Sequence, residues 1–465
     1  MHDLFSGTEN ECIPRKFPDG IVCVCNSTYC DSIGVDVPPK GKFRSYISSE
    51  DGKRFKIEDG DFNNDTSDNE IILNLNSTKI YQTIKGFGGA FTDSAGININ
   101  SLSSLTQEQL LQSYFSKTGS AYSIVRVPIG GSDFSIRPYT LDDTPNDIEL
   151  LNFNLTIEDN DYKIPYIKRS LEINPQLKFF ATSWSAPAWM KTNNNLRGFL
   201  GRLKKKYYQL YAEYLVKFLE SYQDQGLFIW GISTGNEPTS ALIPYPTINT
   251  MYWTPKDVTK WIINNLGPTI EKSNSNETII LALDDQRYLL PDWIDEMYEN
   301  NNLIDKYLSG IAVHWYGDSF SNVNVIDQTH EKYSNKFILM TEACSADLSS
   351  TTSKVKLGSW ERGEAYIKSI IEDMNHWVTG WIDWNLVLDK YGGPTWVGNN
   401  VDSPIIINSD YDEFFKQPMY YALAHVSKFV PPNSLKIQLD NNNTDNQIHA
   451  TAFKRPDDNI IILFN

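Results

Sequence analysis

The segment LFIWGISTGNEP, Leu227 to Pro238, runs from an apolar stretch directly into a turn that carries a carboxylate, Glu237. The apolar part has the length of a buried strand, and Glu237 follows where such a strand would reach solvent. Seven other segments have the same design. The eight runs begin at Thr83, Ser123, Lys178, Leu227, Ile279, Gly310, Phe337 and Gly380. Their polar or aromatic ends include Asp93, Arg126, Trp184, Glu237, Gln286, His314, Glu342 and Trp384.

Helical patterns separate most of these runs. Residues 205–222 carry apolar side chains at helical spacing, namely Tyr207, Leu210, Tyr211, Tyr214, Leu215, Phe218, Leu219 and Tyr222. A second such segment covers residues 361–377. Eight alternating β and α units predict an α/β fold, a (β/α)8 barrel. In a barrel the eight strand ends meet on one face, so the polar ends would form a single ring there.

Short alternating strands occupy residues 40–83 and 435–465, separated by Gly, Asn and Asp turns as in a β-sandwich. We expect the two segments to pair into one small domain beside the barrel. The chain stops at NIIILFN, within a strand-like run, which predicts that this domain continues beyond Asn465.

The chain of 465 residues has a formal net charge of −17. Such a surface repels phosphates and argues against a nucleic-acid partner. No apolar run reaches the roughly 18 residues of a membrane span, and the N-terminus lacks the apolar core of a signal peptide.

Four of the five cysteines, Cys12, Cys23, Cys25 and Cys30, lie close to the N-terminus, and Cys344 stands apart. Their spacing lacks the C-x2-C pairs of common zinc sites, which favours two disulfides over a metal site. Asn-x-Ser/Thr sequons occur at Asn26, Asn64, Asn76, Asn154, Asn276 and Asn442. Disulfides and sequons together favour a secretory route.

The residue types at the predicted strand ends limit the reactions that the site could catalyse. The chain has no phosphate-binding P-loop and no HExxH zinc motif, and we expect neither a metal nor a cofactor. Carboxylates, aromatic rings and amides remain, which suit glycoside hydrolysis by two carboxylates. Glu237 and Glu342 end the fourth and seventh runs and are the predicted pair. The acid needs a raised pKa, and Arg126 could keep the other carboxylate ionised.

Other polar ends have competing interpretations. Asp93 could cap a helix that begins at Ser94. Asp133 follows the second run and is predicted to be functional. Two of the three residues His314, Trp315 and Tyr316 are predicted to serve the site. Trp184 and Trp384 could be core residues or could stack on a sugar.

A series of motifs carries a resemblance to a known family. In chain order they are GFGGAFTD, RVPIGGSDFSIR, SWSAPAWMKT, NEP, LDDQR, AVHWY, TEAC, GWIDWNL, GGPTWV and VDSPIII. In this order they resemble glycoside hydrolase family 30, from the cysteine cluster to the end of the chain. The resemblance implies a (β/α)8 barrel at 84–385 and 419–431. It implies an immunoglobulin-like β-sandwich at 38–83 and 432–465, and a small disulfide-bearing sheet at 1–37 and 386–418.

The resemblance also assigns roles. It implies the pairs Cys12–Cys23 and Cys25–Cys30, with Glu237 as acid/base and Glu342 as nucleophile. The implied glucose-binding residues are Asp133, Trp184, Asn236, Trp384 and Asn399. Arg126, His314 and Tyr316 would lie behind or at the rim of the pocket.

The implied activity is retaining hydrolysis of the β-glucosyl bond of glucosylceramide, to glucose and ceramide, at acidic pH. The implied setting is the lysosomal lumen or the secreted space, with substrate at a membrane surface and a saposin-type activator. Gly235 and Thr247 depart from the pattern and bear on aglycone preference. The alternatives are a relative that cleaves another β-glycoside or β-glucan, and a non-catalytic sugar- or lipid-binding homologue.

Overall fold

The computed structural model describes residues 10–62, 71–244, 248–299, 302–346, 354–441 and 448–465. The sequons at Asn64 and Asn442 and the rim position Thr247 lie outside these ranges. The strands are β1 Pro14–Phe17, β2 Gly20–Asn26, β3 Lys42–Ile47, β4 Lys56–Asp61, β5 Leu73–Thr83, β6 Gly86–Ala90, β7 Ile124–Ile129, β8 Lys178–Ser183, β9 Ile229–Ser233, β10 Ile279–Gln286, β11 Leu308–His314, β12 Phe337–Glu342, β13 Val378–Asn385, β14 Val387–Asp389, β15 Ile405–Asn408, β16 Glu413–Lys416, β17 Leu435–Asn441, β18 Ala450–Lys454 and β19 Ile460–Phe464.

The α-helices of the described ranges surround the barrel and connect its strands. They are α1 Asp93–Asn100, α2 Ser104–Phe115, α3 Ile164–Ile173, α4 Tyr208–Asp224, α5 Pro255–Trp261, α6 Gly267–Lys272, α7 Asp292–Glu299, α8 Ile304–Tyr307, α9 Asn324–Lys332, α10 Trp360–Asn375 and α11 Pro418–Ser427. The two helices predicted from apolar spacing are α4 and α10.

Strands β6 to β13 form a closed parallel barrel, in which β13 pairs with β6 to complete the ring. Each strand corresponds to one of the eight predicted runs, which confirms the (β/α)8 fold. Most of their side chains are buried, as expected for strands covered on both faces. Six barrel strands contribute side chains to one apolar cluster, formed by Ile124, Phe180, Leu281, Ala312, Leu339 and Ile382. This cluster fills the barrel, so that reactive groups collect at the strand ends.

A five-stranded sheet in the order β1-β2-β16-β15-β14 joins residues 14–26 to residues 387–416. Cys23 on β2 lies opposite Lys416 on β16. The bonds Cys12–Cys23 and Cys25–Cys30 are present, which confirms disulfides rather than a metal site and confirms the implied pairing.

A second accessory sheet has the order β19-β18-β17-β5, and the pairing of β5 with β17 joins the segments predicted to meet. Short strands separated by turns were predicted over residues 40–83, but β5 is continuous across most of the stretches IILNLN and KIYQTI. The intervening polar residues form a local irregularity in the pairing, where Asn76 Oδ1 accepts from Thr78 N at 3.1 Å.

The hairpin β3–β4 forms its own two-stranded sheet. It packs on α11 and the segment after it, where Phe55 stacks on His425 at 4.1 Å and Tyr46 lies 4.6 Å from Phe429. The boundaries of the three domains stay a prediction. Within the described residues, no helix is both long and apolar enough to cross a membrane.

Candidate active site

The strand ends of the barrel bring two acidic residues together at one face. Glu342 is the last residue of β12, and Glu237 follows β9 by four residues. One carboxylate oxygen of each, together with a ring nitrogen of His314, lie within 4.8 Å of one another. This upper limit on the distance between the two oxygens fits retaining glycosidases, whose carboxyl groups lie roughly 5–5.5 Å apart, better than inverting enzymes, which need about 6.5–9.5 Å.

Arg126 on β7 lies fully buried beneath this pair. Its guanidinium donates to Glu342 Oε2, to Asn236 Oδ1 at 2.8 Å and to Asp284 Oδ2 at 3.0 Å. A planar guanidinium with several N–H donors can serve several acceptors at once. Arg126 therefore fixes the Glu342 carboxylate and supplies a positive charge beside it.

Glu237 is held on both carboxylate oxygens. Its Oε1 accepts from Gln286 Nε2 at 2.7 Å and lies 3.0 Å from His314 Nδ1, and its Oε2 accepts from Ser240 Oγ at 2.9 Å. The other ring nitrogen of His314 lies 3.0 Å from Asp284 Oδ1. His314 thus bridges two carboxylates, an arrangement that favours the doubly protonated, cationic ring.

The pKa values of these groups follow from burial and from charge. Burial raises the pKa of Glu237, but the hydrogen bond and charge of His314 lower it to below the ordinary glutamate value. Burial raises the pKa of Glu342 and outweighs the lowering by Arg126 and His314. Burial lowers the pKa of His314, but Glu342, Asp284 and Glu237 raise it to about 10.

The pKa of Glu237 is thus lowered and that of Glu342 raised, the reverse of the order that an acid and a nucleophile require. Arg126 does favour the ionised form of Glu342, as expected, but the burial of that carboxyl has the larger effect. The raised pKa of His314 favours a proton on its ring, and its Nδ1 lies one hydrogen bond away from Glu237 Oε1.

Tyr316 forms the outer contact of Glu342. Its hydroxyl donates to Glu342 Oε1 at 2.9 Å and lies 3.3 Å from the sulfur of Cys344. The Tyr316 side chain is partly exposed, which places it at the rim of the site. Burial raises the pKa of the free Cys344 thiol well above its usual value, so this group stays protonated.

Trp184 and Trp384 stack on each other, with ring centroids 5.1 Å apart. Arg126 lies over both rings, at 5.1 and 5.3 Å from their centroids. Both rings are almost fully buried, so they form a wall that Arg126 shares with the carboxylates.

Asp133 lies beyond β7 and accepts from Asn399 Nδ2 at 2.7 Å. Burial and the charge of Glu342 raise its pKa to about 7. Asn399 itself is exposed and comes from the loop between β14 and β15, so the small disulfide-bearing sheet supplies one side of the site. The hydroxyl oxygen of Thr395, in the same loop, lies 2.9 Å from Asp133 O and 2.7 Å from Asn399 Oδ1, and its single proton can be donated to either.

Asp93 and Trp315, for which the sequence left two interpretations open, contact the surrounding framework rather than the carboxylate pair. Thr92, not Asp93, caps α1, because its hydroxyl accepts from Ala95 N at 3.0 Å. Asp93 is buried and lies 3.3 Å from Lys163 Nζ, so its predicted capping role is wrong. Trp315 packs on Tyr366 and donates to Cys344 O, while its neighbours His314 and Tyr316 reach the carboxylates.

Sequence reasoning did not assign Asp284, which is central to the site. Its carboxylate accepts from Arg126, Thr182 and Thr341 and contacts His314. These partners hold its pKa well below the usual range despite burial. The available signal was the pair of aspartates that ends the fifth apolar run, in LDDQR.

The atoms of Glu237, His314 and Glu342 are close enough to share a cation. However, Arg126 already donates to Glu342, and His314 bridges to Asp284. The charge of Arg126 repels a further cation at this position, and both ring nitrogens of His314 already have carboxylate partners. This donor set therefore fits proton transfer better than metal binding.

The model of the glycosyl hydrolase family 30 TIM-barrel domain matches residues 84–430. The chain belongs to glycosyl hydrolase family 30. This family 30 chain is 41% identical over 461 residues to a mouse protein named lysosomal acid glucosylceramidase. The alignment covers 97% of this chain and 88% of the mouse protein.

Two solved structures are also similar to this family 30 member. SrfJ from Salmonella typhimurium has a TM-score of 0.80 at 26% identity, over 89% of this chain and 94% of that one. An endo-β1,6-glucanase has a TM-score of 0.79 at 29% identity, over 89% of each chain.

Proposed function

We propose that this family 30 chain is a retaining β-glucosidase that hydrolyses glucosylceramide to glucose and ceramide by double displacement. The observation that carries the proposal is the pair Glu237 and Glu342, whose oxygens approach within 4.8 Å between His314 and Arg126. Such a separation leaves room for direct attack on the sugar and not for an intervening water.

In the first step, Glu342 attacks the anomeric carbon, and the bond to the leaving oxygen breaks. Arg126 and Tyr316 hold the attacking carboxylate in place. The leaving oxygen takes a proton from Glu237, and His314 supplies that proton through its contact with Oε1. The products are a glucosyl ester of Glu342 and the free alcohol.

In the second step, water attacks the anomeric carbon of the ester and releases the Glu342 carboxylate. Glu237 takes the proton from this water and returns it to the pair that it forms with His314. Two inversions at the anomeric carbon give net retention. His314 ends each cycle in the protonated form with which it began.

The sugar would lie against the wall formed by Trp184 and Trp384. Asp133 and Asn399 are linked by a hydrogen bond at the rim and could bind its hydroxyls. Asn236 is fixed by Arg126 and adjoins Glu237, so its amide could bind the hydroxyl next to the scissile bond. We assign these five residues to glucose binding.

The substrate class rests on likeness. The mouse relative is named a glucosylceramidase and aligns over nearly the whole chain. We therefore propose a lipid substrate at a membrane surface, a lysosomal or secreted location, and a saposin-type activator protein. The endo-β1,6-glucanase at 29% identity supports a second candidate, a β-glucan hydrolase.

A comparison of two substrates decides between these candidates. Glucosylceramide in detergent micelles should release glucose and ceramide, and a β-1,6-glucan should release no reducing sugar. Faster hydrolysis of the glucan would replace the lipid as the proposed substrate. No turnover of either substrate or of an aryl β-glucoside would favour a binding homologue.

Glu237→Gln tests the acid/base role. We expect kcat/KM for phenyl β-glucoside to fall by about 10²–10³-fold, within the usual contribution of a general acid. The 2,4-dinitrophenyl glucoside, whose leaving group needs no proton, should keep its kcat/KM. Azide needs no base and should restore kcat, giving β-glucosyl azide. An equal loss on both substrates would remove Glu237 from the acid role.

His314→Gln should change the pH profile of kcat/KM. The charge of His314 lowers the pKa of Glu237 and of Glu342, so its removal raises both. Because Glu342 must be ionised to attack, the acidic limb should move to higher pH, by at least about half a unit. His376→Gln, at a partly exposed histidine that contacts Asp327 at 2.7 Å, is the matched control. An unmoved acidic limb would contradict the assigned role of His314.

A further inference from the structure

Glu237 has an uncommon backbone conformation. Its φ of 41° and ψ of 62° lie in the left-handed region, which is unfavourable for a non-glycine residue. A 3-10 helix, Pro238–Leu242, begins directly after it, and Glu237 occupies the N-cap position without capping that helix through its side chain. Contacts from elsewhere must therefore stabilise the start of this helix.

Asp285 on β10 supplies such contacts. Its Oδ2 accepts from Thr239 N at 2.9 Å and from Thr239 Oγ1 at 2.7 Å. Thr239 is the second residue of the helix, and its backbone N–H is one that an N-cap side chain would ordinarily satisfy. The neighbouring strand thus provides the cap that Glu237 does not.

We propose that Asp285 is a positioning residue for Glu237, because it caps the 3-10 helix from the next strand and so fixes the direction of the Glu237 carboxyl. The capped helix carries Ser240, whose hydroxyl donates to Glu237 Oε2. Loss of the hydrogen bonds from Thr239 to Asp285 would loosen the backbone turn after Glu237 and, with it, the contact between Ser240 and Glu237.

An irregularity in β10 lets adjacent aspartates serve different tasks. The register with β11 shifts between Leu283 and Asp285, and both Leu283 and Asp284 have positive φ. Asp284 contacts Arg126 and His314, while Asp285 reaches Thr239. In addition, Asp284 O accepts from Glu237 N at 2.9 Å. The distorted strand therefore holds Glu237 through the backbone at one residue and through a carboxyl group at the next.

The donors to Asp285 are neutral, namely the hydroxyl and N–H of Thr239 and the N–H of Gln286. Burial and the charge of Glu237 raise the pKa of Asp285 to about 7. The group is then a neutral acid at acidic pH, and its carbonyl oxygen can still accept from Thr239. The positioning thus needs an acceptor atom and not a charge, and an asparagine side chain can provide one.

The proposal rests on the assignment of Glu237 as the acid, and it predicts a selective loss. Asp285→Ala should lower kcat/KM for phenyl β-glucoside by at least about tenfold, because a misplaced acid loses part of its contribution. The 2,4-dinitrophenyl glucoside should lose less than about threefold. Asp285→Asn should stay within about threefold of the wild type on both substrates at acidic pH.

Thr239→Val and Asp142→Asn complete the set. Thr239→Val removes one of the two donors and should give a smaller loss of the same selectivity. Asp142 is another buried aspartate, with a pKa raised to about 6 by burial, and its carboxylate accepts from Thr144 N at 3.2 Å rather than from a residue that holds Glu237 or Glu342. Asp142→Asn should leave both substrates unaffected and controls for the loss of a buried carboxyl group.

Three results would overturn the proposal. Equal losses on both substrates in Asp285→Ala would show a general structural role, and full activity would show no role. An Asp285→Asn variant as impaired as Asp285→Ala would show that the charge is required. Glu237→Gln, assayed in parallel, separates these failures from that of the proposed function, because it must itself show the leaving-group contrast if Glu237 is the acid.

Discussion

Glu342→Gln should lower kcat/KM for every β-glucoside by at least about 10⁴-fold, irrespective of the leaving group. The amide cannot form the glucosyl ester, so the covalent route is lost, and losses of a catalytic nucleophile are typically of this size or larger. The contrast with Glu237→Gln is diagnostic, since that variant should retain activity on the dinitrophenyl glucoside. Steady-state kinetics on the phenyl and dinitrophenyl glucosides measure both.

A covalent label gives an independent check. A mechanism-based epoxide inhibitor should modify Glu342 in the wild type and should modify nothing in Glu342→Gln, as read by peptide mass spectrometry. Glu158→Gln is the matched control, because Glu158 is also buried and paired with an arginine, Arg137, outside the site. Label on another carboxylate, or substantial turnover by Glu342→Gln, would move the nucleophile elsewhere.

Arg126→Met should destabilise the fold by about 3–5 kcal/mol, the usual cost of removing one partner of a buried ion pair. The side chains of Arg126 and Asp284 have no exposed area, and that of Glu342 is 7% exposed. Without the guanidinium, the carboxylates of Glu342 and Asp284 would stay buried, and His314 would be the one cation left among their described partners. Chemical denaturation and the melting temperature measure the loss, and activity should fall with it.

The deficit of Arg126→Met should depend on pH in one direction. In the folded wild type the pKa of Asp284 is lower than in the unfolded chain. Ionised Asp284 therefore stabilises the fold fully at pH values above the unfolded-state pKa. That contribution is lost as pH falls through the folded value. The variant loses most of this stabilisation, so the gap between the two proteins should be widest near neutral pH and narrower in acid.

Arg137→Met provides the comparison for this experiment. Arg137 pairs with Glu158 through two hydrogen bonds, and its side chain is 46% exposed while that of Glu158 is 1% exposed. Because water reaches Arg137 and can replace part of its contact with Glu158, we expect Arg137→Met to cost clearly less than Arg126→Met. If both arginine variants lost the same stability, burial of Arg126 would not be the cause.

The barrel could be predicted from sequence because its strands are buried on both faces and therefore appear as short apolar runs. Glu237 and Glu342 could be placed because each ends such a run, and strand ends of a barrel converge. The disulfide pairing and the union of residues 14–26 with 387–416 came from resemblance, because no local pattern connects segments so far apart in the chain.

The finer properties of the site depend on contacts that no local pattern specifies. The reversed pKa order of Glu237 and Glu342 depends on His314 bridging to Asp284. The separate tasks of Asp284 and Asp285 depend on a register shift, which breaks the alternation expected along a strand. The continuous β5 was missed because a polar stretch that predicts a turn is accommodated as an irregularity in the pairing.

The pairing of β2 with β16 and of β5 with β17 has a consequence for biosynthesis. During translation, Lys416 on β16 is added roughly 390 residues after Cys23 on β2, so β2 has no such neighbour until then. At about 5–20 residues per second, translation leaves the N-terminal strands without these partners for roughly 20–80 s. The nascent chain therefore exposes strand edges throughout elongation, and slower translation should increase its dependence on chaperones in the compartment where it folds.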